Sequence, residues 1–136
     1  MNSNNHITVD QIKNDAEVIK KELVEWRHYL HAHPELSFKE ERTTHYIVNK
    51  LKNFGYTDIQ IGFGPLKTGV MVEIGSGRPC VMLRADIDAL PIQEQTGVEF
   101  CSQSKGVSHA CGHDAHITNL LGVAKLLKKY ENSIKG

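Results

Sequence analysis

No stretch of the chain approaches the ~18 consecutive apolar residues that a membrane-crossing helix requires. Its opening residues, Met1-Asn2-Ser3-Asn4-Asn5-His6, also lack the apolar segment of a secretory signal. Net charge is absent as well: sixteen basic and sixteen acidic residues cancel. No lysine or arginine cluster is dense enough to track a phosphate backbone, so nucleic acid is not an expected partner. Lys128 and Lys129 read instead as a solvated helix end that suits the dipole. Cysteine is scarce. Three residues, odd in number and widely spaced, argue against a disulfide framework and make a reduced, cytoplasmic setting the default. Cys80 and Cys101 are expected to be small buried hydrophobes. Internal repeats and low-complexity tracts are missing too, and 136 residues fit one modest domain with a real core.

What is present is a mixture of helix and strand patterns. Ile12, Ala16, Ile19, Leu23, Trp26 and Leu30 recur at steps of four and three, which predicts a helix over 9–33 with one apolar stripe. His33-Pro34 ends it, because a residue before proline is pushed out of the helical region. Ser37-Phe38-Lys39-Glu40 reads as a capping box for a second helix through Ile47, Val48, Leu51 and Phe54, with Gly55 as its stop. Tyr56 to Ile61 is a strand candidate, and Gly62-Phe63-Gly64-Pro65 a turn. Residues 68–75 and 80–85 read as two strands of a hairpin, the second apolar enough to be covered on both faces. Residues 92–108 have the composition of an exposed loop, and a last helix is expected over about 114–130.

The chemistry concentrates in His109-Ala110-Cys111-Gly112-His113-Asp114-Ala115-His116. Cys111 and His113 are two apart, so in an extended segment both side chains leave one side of the backbone. A thiolate and an imidazole converging this way suit zinc or a similar borderline ion. Ordinary polar loops also contain such residues, and one Cys-x-His is less specific than a paired Cys-x-x-Cys array. A cysteine-nucleophile reading is disfavoured, because neighbours two apart in an extended segment rarely reach nucleophile–base geometry. Asp86 and Asp88 close the 80–85 strand, where the acids of α/β sites commonly sit, or else they merely start a turn. His28, His31 and His33 cluster near the end of the first helix with no thiol or carboxylate in ligand register, which favours hydrogen-bonding roles over ligation.

Three blocks resemble the N-terminal part of the M20 metallopeptidase superfamily, in the branch of hippurate hydrolases, N-acyl-amino-acid deacylases, N-acetyldiaminopimelate deacetylases and auxin-conjugate hydrolases. They are Arg27-His28-x-Leu30-His31-x-His33-Pro34-Glu35-Leu36-Ser37, Leu83-Arg84-Ala85-Asp86-Ile87-Asp88-Ala89-Leu90-Pro91, and His109-Ala110-Cys111-Gly112-His113-Asp114-x-His116. The resemblance implies an α/β fold: a truncated, partial three-layer α/β/α catalytic domain of zinc-peptidase type with a mixed sheet, occupying residues 1–136. It implies Cys111 and His113 as ligands of divalent metal, two ions in a complete site, with zinc, manganese, cobalt and nickel all open. Asp88 would orient a ligand, and Asp86 stands where many relatives have a ligating histidine. His109, Asp114 and His116 would line the site. The implied reaction is hydrolysis of N-acyl amino acids. Members of this branch continue into a Gln-Pro-Ala-Glu-Glu-type segment, later histidines and an inserted domain for dimerisation, and intact members are often homodimers. A chain without those parts is expected to be inactive alone. A non-catalytic metal-binding or protein-interaction role is the alternative, in which an exposed sheet edge pairs with another chain.

Overall fold

The computed structural model describes residues 7–63 and 65–136, so the polar start at Met1–His6 and Gly64 of the turn at 62–65 lie outside the described residues. In chain order they form α1 (Val9–Ala32), α2 (Glu41–Phe54), β1 (Ile59–Ile61), β2 (Val70–Val72), α3 (His113–Lys129) and a short 3-10 turn at Glu131–Ser133. Among the described residues no helix is long and apolar enough to cross a membrane.

Local signals place α1. Thr8 Oγ1 accepts the Gln11 N–H at 3.2 Å while Gln11 Oε1 accepts the Thr8 N–H at 2.8 Å, a reciprocal capping box. Along the predicted stripe Ile19, Trp26 and Leu30 are buried, whereas Ile12 at the outer end is exposed. Trp26 and Leu30 join Ile47 and Leu51 of α2, Tyr56, and Ile117 and Leu121 of α3 in the core. Close approach of α1 and α3 depends on Gly122, where a Cβ would meet Leu23 Cδ2 at 2.9 Å. Gly55 ends α2 in the left-handed region at φ 98°, as its position predicts.

The start of α2 departs from expectation. Ser37 and Glu40 form no capping box, and the helix begins at Glu41 without a side-chain bond from its own cap. Glu35 does the work from outside: its carboxylate accepts the N–H of Arg42 at 3.1 Å, the N–H of Thr43 at 2.7 Å and the Thr43 hydroxyl at 2.8 Å. A tight turn, closed by the Lys39 N–H on Leu36 O at 3.0 Å with Phe38 at φ 66°, brings Glu35 back to the helix end. An ionised carboxylate is a stronger acceptor there than a serine hydroxyl.

The sheet is smaller than expected and paired differently. β1 and β2 form an antiparallel hairpin in the register Ile59↔Val72, Gln60↔Met71, Ile61↔Val70, drawn together by the Gly62 N–H on Gly69 O at 3.0 Å. Residues 68–75 therefore pair with the preceding strand and not with 80–85. That later run forms no ladder among the described residues, and Val81, Met82 and Leu83 are 78%, 81% and 54% exposed instead of covered on both faces. An apolar run is buried only when neighbours supply ladder bonds and a face to pack on, and no described segment runs beside this one. Cys80 at its head and Cys101 are likewise exposed, not buried as expected. Two isolated bridges lie outside the hairpin, Leu36 parallel to Ala89 and Leu90 antiparallel to Ser108, and among the described residues the sheet itself is antiparallel, not mixed. The fold is α/β, with three helices and this reduced sheet among the described residues.

Residues 92–108 are not a free loop. The Gln103 N–H bonds Ala32 O at 2.9 Å, the Ser108 and Leu90 backbones exchange two bonds of 3.0 Å, and Ser108 and His109 are buried. Its polar residues satisfy one another and the end of α1, which composition alone does not reveal.

Replacing Glu35 by alanine should destabilise the fold by about 1–2 kcal/mol, whereas Ser37→Ala should stay within about 0.5 kcal/mol. Denaturant melts of the two variants check this, and the opposite ranking would restore the serine cap.

Candidate metal centre

The thiol and imidazole singled out by the sequence flank a bend, not an extended strand. The Gly112 N–H bonds His109 O at 2.9 Å, Gly112 takes φ 79°, and His113 opens α3. Strand alternation therefore does not set their directions; a left-handed glycine at a helix start does, a conformation only glycine adopts without strain. Cys111 is an exposed free thiol.

His113 is held by one nitrogen. Its Nδ1 lies 3.0 Å from Asp88 Oδ1 and 2.8 Å from the Asp88 carbonyl, both acceptors, so Nδ1 carries the proton in the neutral ring and Nε2 keeps its lone pair. Asp88 is itself fixed by the neighbouring backbone: the Ala89 N–H bonds Glu35 O at 2.8 Å and the Leu90 N–H bonds Ser108 O at 3.0 Å. Thus the turn before α2 and the residue before His109 both determine where Asp88 points.

The other candidates are distributed less uniformly. Asp86 is exposed and paired with Arg84 at 2.6 Å. His116 is exposed with its ring 5.6 Å from that of His113. His109 is buried with neither ring nitrogen hydrogen-bonded among the described residues, and burial pushes its pKa down, towards the neutral ring. Among the described residues no group of three or more His, Cys, Asp and Glu side chains converges as a metal would need.

Asp114, fully buried, is held from α1. Its Oδ2 accepts from His31 Nδ1 at 2.8 Å and from Arg27 Nε at 3.2 Å. The other ring nitrogen of His31, Nε2, donates to Glu94 Oε1 at 3.0 Å, and Glu94 also accepts the Ser102 N–H at 2.6 Å and the Thr96 hydroxyl. Burial of the His31 ring opposes its charge, but the bonds to Glu94 and Asp114 outweigh it and raise the pKa above 6.5. Burial likewise opposes charge on Glu94, yet bonds from Thr96, His31 and Ser102 bring its pKa down to about 2. Arg27, His31 and Glu94 were not among the expected site residues. The sequence favours a structural or hydrogen-bonding role for His31, and its ring bonds Asp114 and Glu94; these partners lie 83 and 63 residues further along, beyond any spacing signal.

Comparison with known proteins bears on this arrangement. Residues 82–136 match the model of peptidase family M20/M25/M40. The chain is 43% identical over 132 residues to an N-acyl-L-amino acid amidohydrolase of Geobacillus stearothermophilus, covering 96% of this chain and 35% of that protein. It is 50% identical over 120 residues to an N-acetyl-L-cysteine deacetylase of Bacillus subtilis, covering 87% of this chain and 28% of that one. A solved dinuclear metal-binding peptidase of the M20 family from Bacillus subtilis superimposes with a TM-score of 0.78 at 45% identity, over 88% of this chain and 34% of its own length. A solved aminohydrolase homologue from methicillin-resistant Staphylococcus aureus gives 0.84 at 43% identity, over 95% of this chain and 34% of that chain. Fold and sequence thus point to the same group of proteins. The chain is similar in sequence and fold to members of the M20 peptidase family, and it spans about a third of the length of the amidohydrolase relative.

The raised His31 and lowered Glu94 pKa values predict a pH signature. For His31, with its folded value above 6.5, the stabilisation is complete below 6.5 and is lost as pH rises through the raised value. For Glu94 it is complete above 4.5 and is lost as pH falls towards about 2. His109, whose folded value is lowered, works the other way and loses stability as pH falls below 6.5. Subtracting the His31→Gln stability profile from that of the wild type isolates the His31 contribution. The difference should be flat between 4.5 and 6.5 and shrink on the alkaline side; a difference that grows with pH would contradict the assignment.

Proposed function

We propose that residues 1–136 are part of the catalytic domain of a metal-dependent amidohydrolase that cleaves the amide bond of N-acyl amino acids. The observation that carries this reading is the His113 ring, tied by Nδ1 to Asp88 with Nε2 left without a partner among the described residues, one glycine away from an exposed thiol. A carboxylate that holds the far nitrogen of an imidazole fixes its tautomer and raises its basicity as a ligand. Cys111 and His113 would hold a divalent ion, and their soft and borderline donors suit zinc, cobalt or nickel, with manganese less matched to a thiolate. When bound, such an ion lowers the pKa of its water towards ~7 and polarises the scissile carbonyl.

Two ligands make half a site. Catalytic zinc generally takes three protein ligands and a water, so completing a site of one or two ions requires donors beyond Cys111 and His113. Asp86 is a candidate if it exchanges Arg84 for the ion, while Asp88 serves as orienting group. The N-acyl amino acid reading draws on the activities named for the relatives, an N-acyl-L-amino acid amidohydrolase and an N-acetyl-L-cysteine deacetylase. An interaction role for the same chain draws on Val81, Met82 and Leu83, whose exposure leaves an apolar, strand-like edge open.

The test uses this protein extended to the length of its relatives, assayed for metal content and for hydrolysis of N-acetyl and N-benzoyl amino acids. Cys111→Ala and His113→Ala should each remove bound metal and lower turnover at least ~100-fold, and Asp88→Asn should weaken metal binding ~10–100-fold. Metal content and turnover that survive both ligand replacements would overturn the assignment.

A further inference from the structure

We infer that His31 is a positioning residue for His113: by holding Asp114 against α1 it fixes the first turn of α3, and so the direction of the neighbouring imidazole. The inference rests on the metal-site reading of His113.

The start of α3 has no side-chain cap among the described residues. Gly112 occupies the cap position in the left-handed region, and only its carbonyl takes the N–H groups of Ala115 and His116, at 3.0 and 3.3 Å. Helix ends without a side-chain cap fray, so something else must hold this one. Asp114, one residue after His113, reaches back to α1 and is completely buried there. Of its two donors, Arg27 is the weaker: its side chain is 45% exposed and its contact is 3.2 Å, against 2.8 Å for His31. The His31 ring, in turn, cannot rotate freely. Both nitrogens are engaged by buried carboxylates, and Glu94 is fixed by the Ser102 N–H and the Thr96 hydroxyl. Glu94, His31 and Asp114 therefore form a rigid chain from the 92–108 segment through α1 to α3.

Removing His31 leaves a buried carboxylate with one exposed, longer partner. Such a group is strongly driven towards water, and its movement rotates the first turn of α3. His113 moves with it. The two bonds from its Nδ1 to Asp88, 2.8 and 3.0 Å, are then lost, and with them the preference for the tautomer that frees Nε2.

The experiment reads the His113 ring directly, in the metal-free chain, by side-chain nitrogen NMR near neutral pH, with His113→Asn identifying the signal. Wild type should show the Nδ1–H tautomer, and His31→Gln should lose it. In parallel, Co(II) titrated into the chain and followed by its thiolate absorption should bind ~10-fold more weakly to His31→Gln. The double variant His31→Gln/Glu94→Gln should regain both, because the amide introduced at 31 donates to Asp114 and accepts from the amide introduced at 94. A purely structural role would lower the melting temperature of His31→Gln while its tautomer and Co(II) affinity stayed as in wild type, or would leave the double variant unrescued; either result overturns the inference. If His31→Gln does not fold, Glu94→Ala, which takes away the acceptor of His31 Nε2, reads the same signal, and an unchanged His113 tautomer there counts against the proposal. Co(II) binding that survives Cys111→Ala/His113→Ala would sink the metal-site reading instead, and the tautomer result would still judge His31.

Discussion

The bond from His113 Nδ1 to Asp88 is the constraint on which the rest of the arrangement depends. It converts an imidazole with two equivalent choices into a ring with one proton and one lone pair in known places. Neither residue could hold that bond unaided. Asp88 is placed by backbone bonds that run from its neighbours to Glu35 and to Ser108, and His113 is placed by the start of α3. Glu35 has two tasks at once, since its side chain caps the start of α2 while its carbonyl fixes the segment bearing Asp88. Packing of α1 against α3 through Leu23 and Gly122 then sets the distance that the Asp114 to His31 contact spans.

Much of this was legible in the sequence, and the boundary between what was and was not follows from locality. Trp26 and Leu30 on one stripe, Gly55 at a helix end and Leu121 in the last helix all declare themselves through periods of three and four or through a single residue's conformational freedom. Strand pairing does not. Residues 68–75 could pair forwards or backwards, and the choice of β1 as partner depends on the Gly62 to Gly69 contact, which no alternation pattern encodes. The bend at Gly112 was hidden for a similar reason. Cys111 and His113 are separated by one residue in any conformation, but only a φ of 79° decides how their side chains diverge.

Burial was the least readable property. Cys80 and the apolar residues after it looked like core and are exposed, because burial is a property of what lies beside a segment and not of the segment. Glu94, in a stretch with the composition of a free loop, became a buried partner of His31 for the converse reason. The sum is a fold in which the helices and their caps are written locally, while the site is written in contacts between residues dozens of positions apart.

The most direct measurement is X-ray absorption at the metal edge of the zinc-loaded protein, completed to the length of its relatives. The account predicts a sulfur neighbour at about 2.3 Å beside nitrogen or oxygen at about 2.0–2.1 Å, with the sulfur lost on Cys111→Ala and the imidazole contribution reduced on His113→Ala. A shell of nitrogen and oxygen alone in the unsubstituted protein would contradict it.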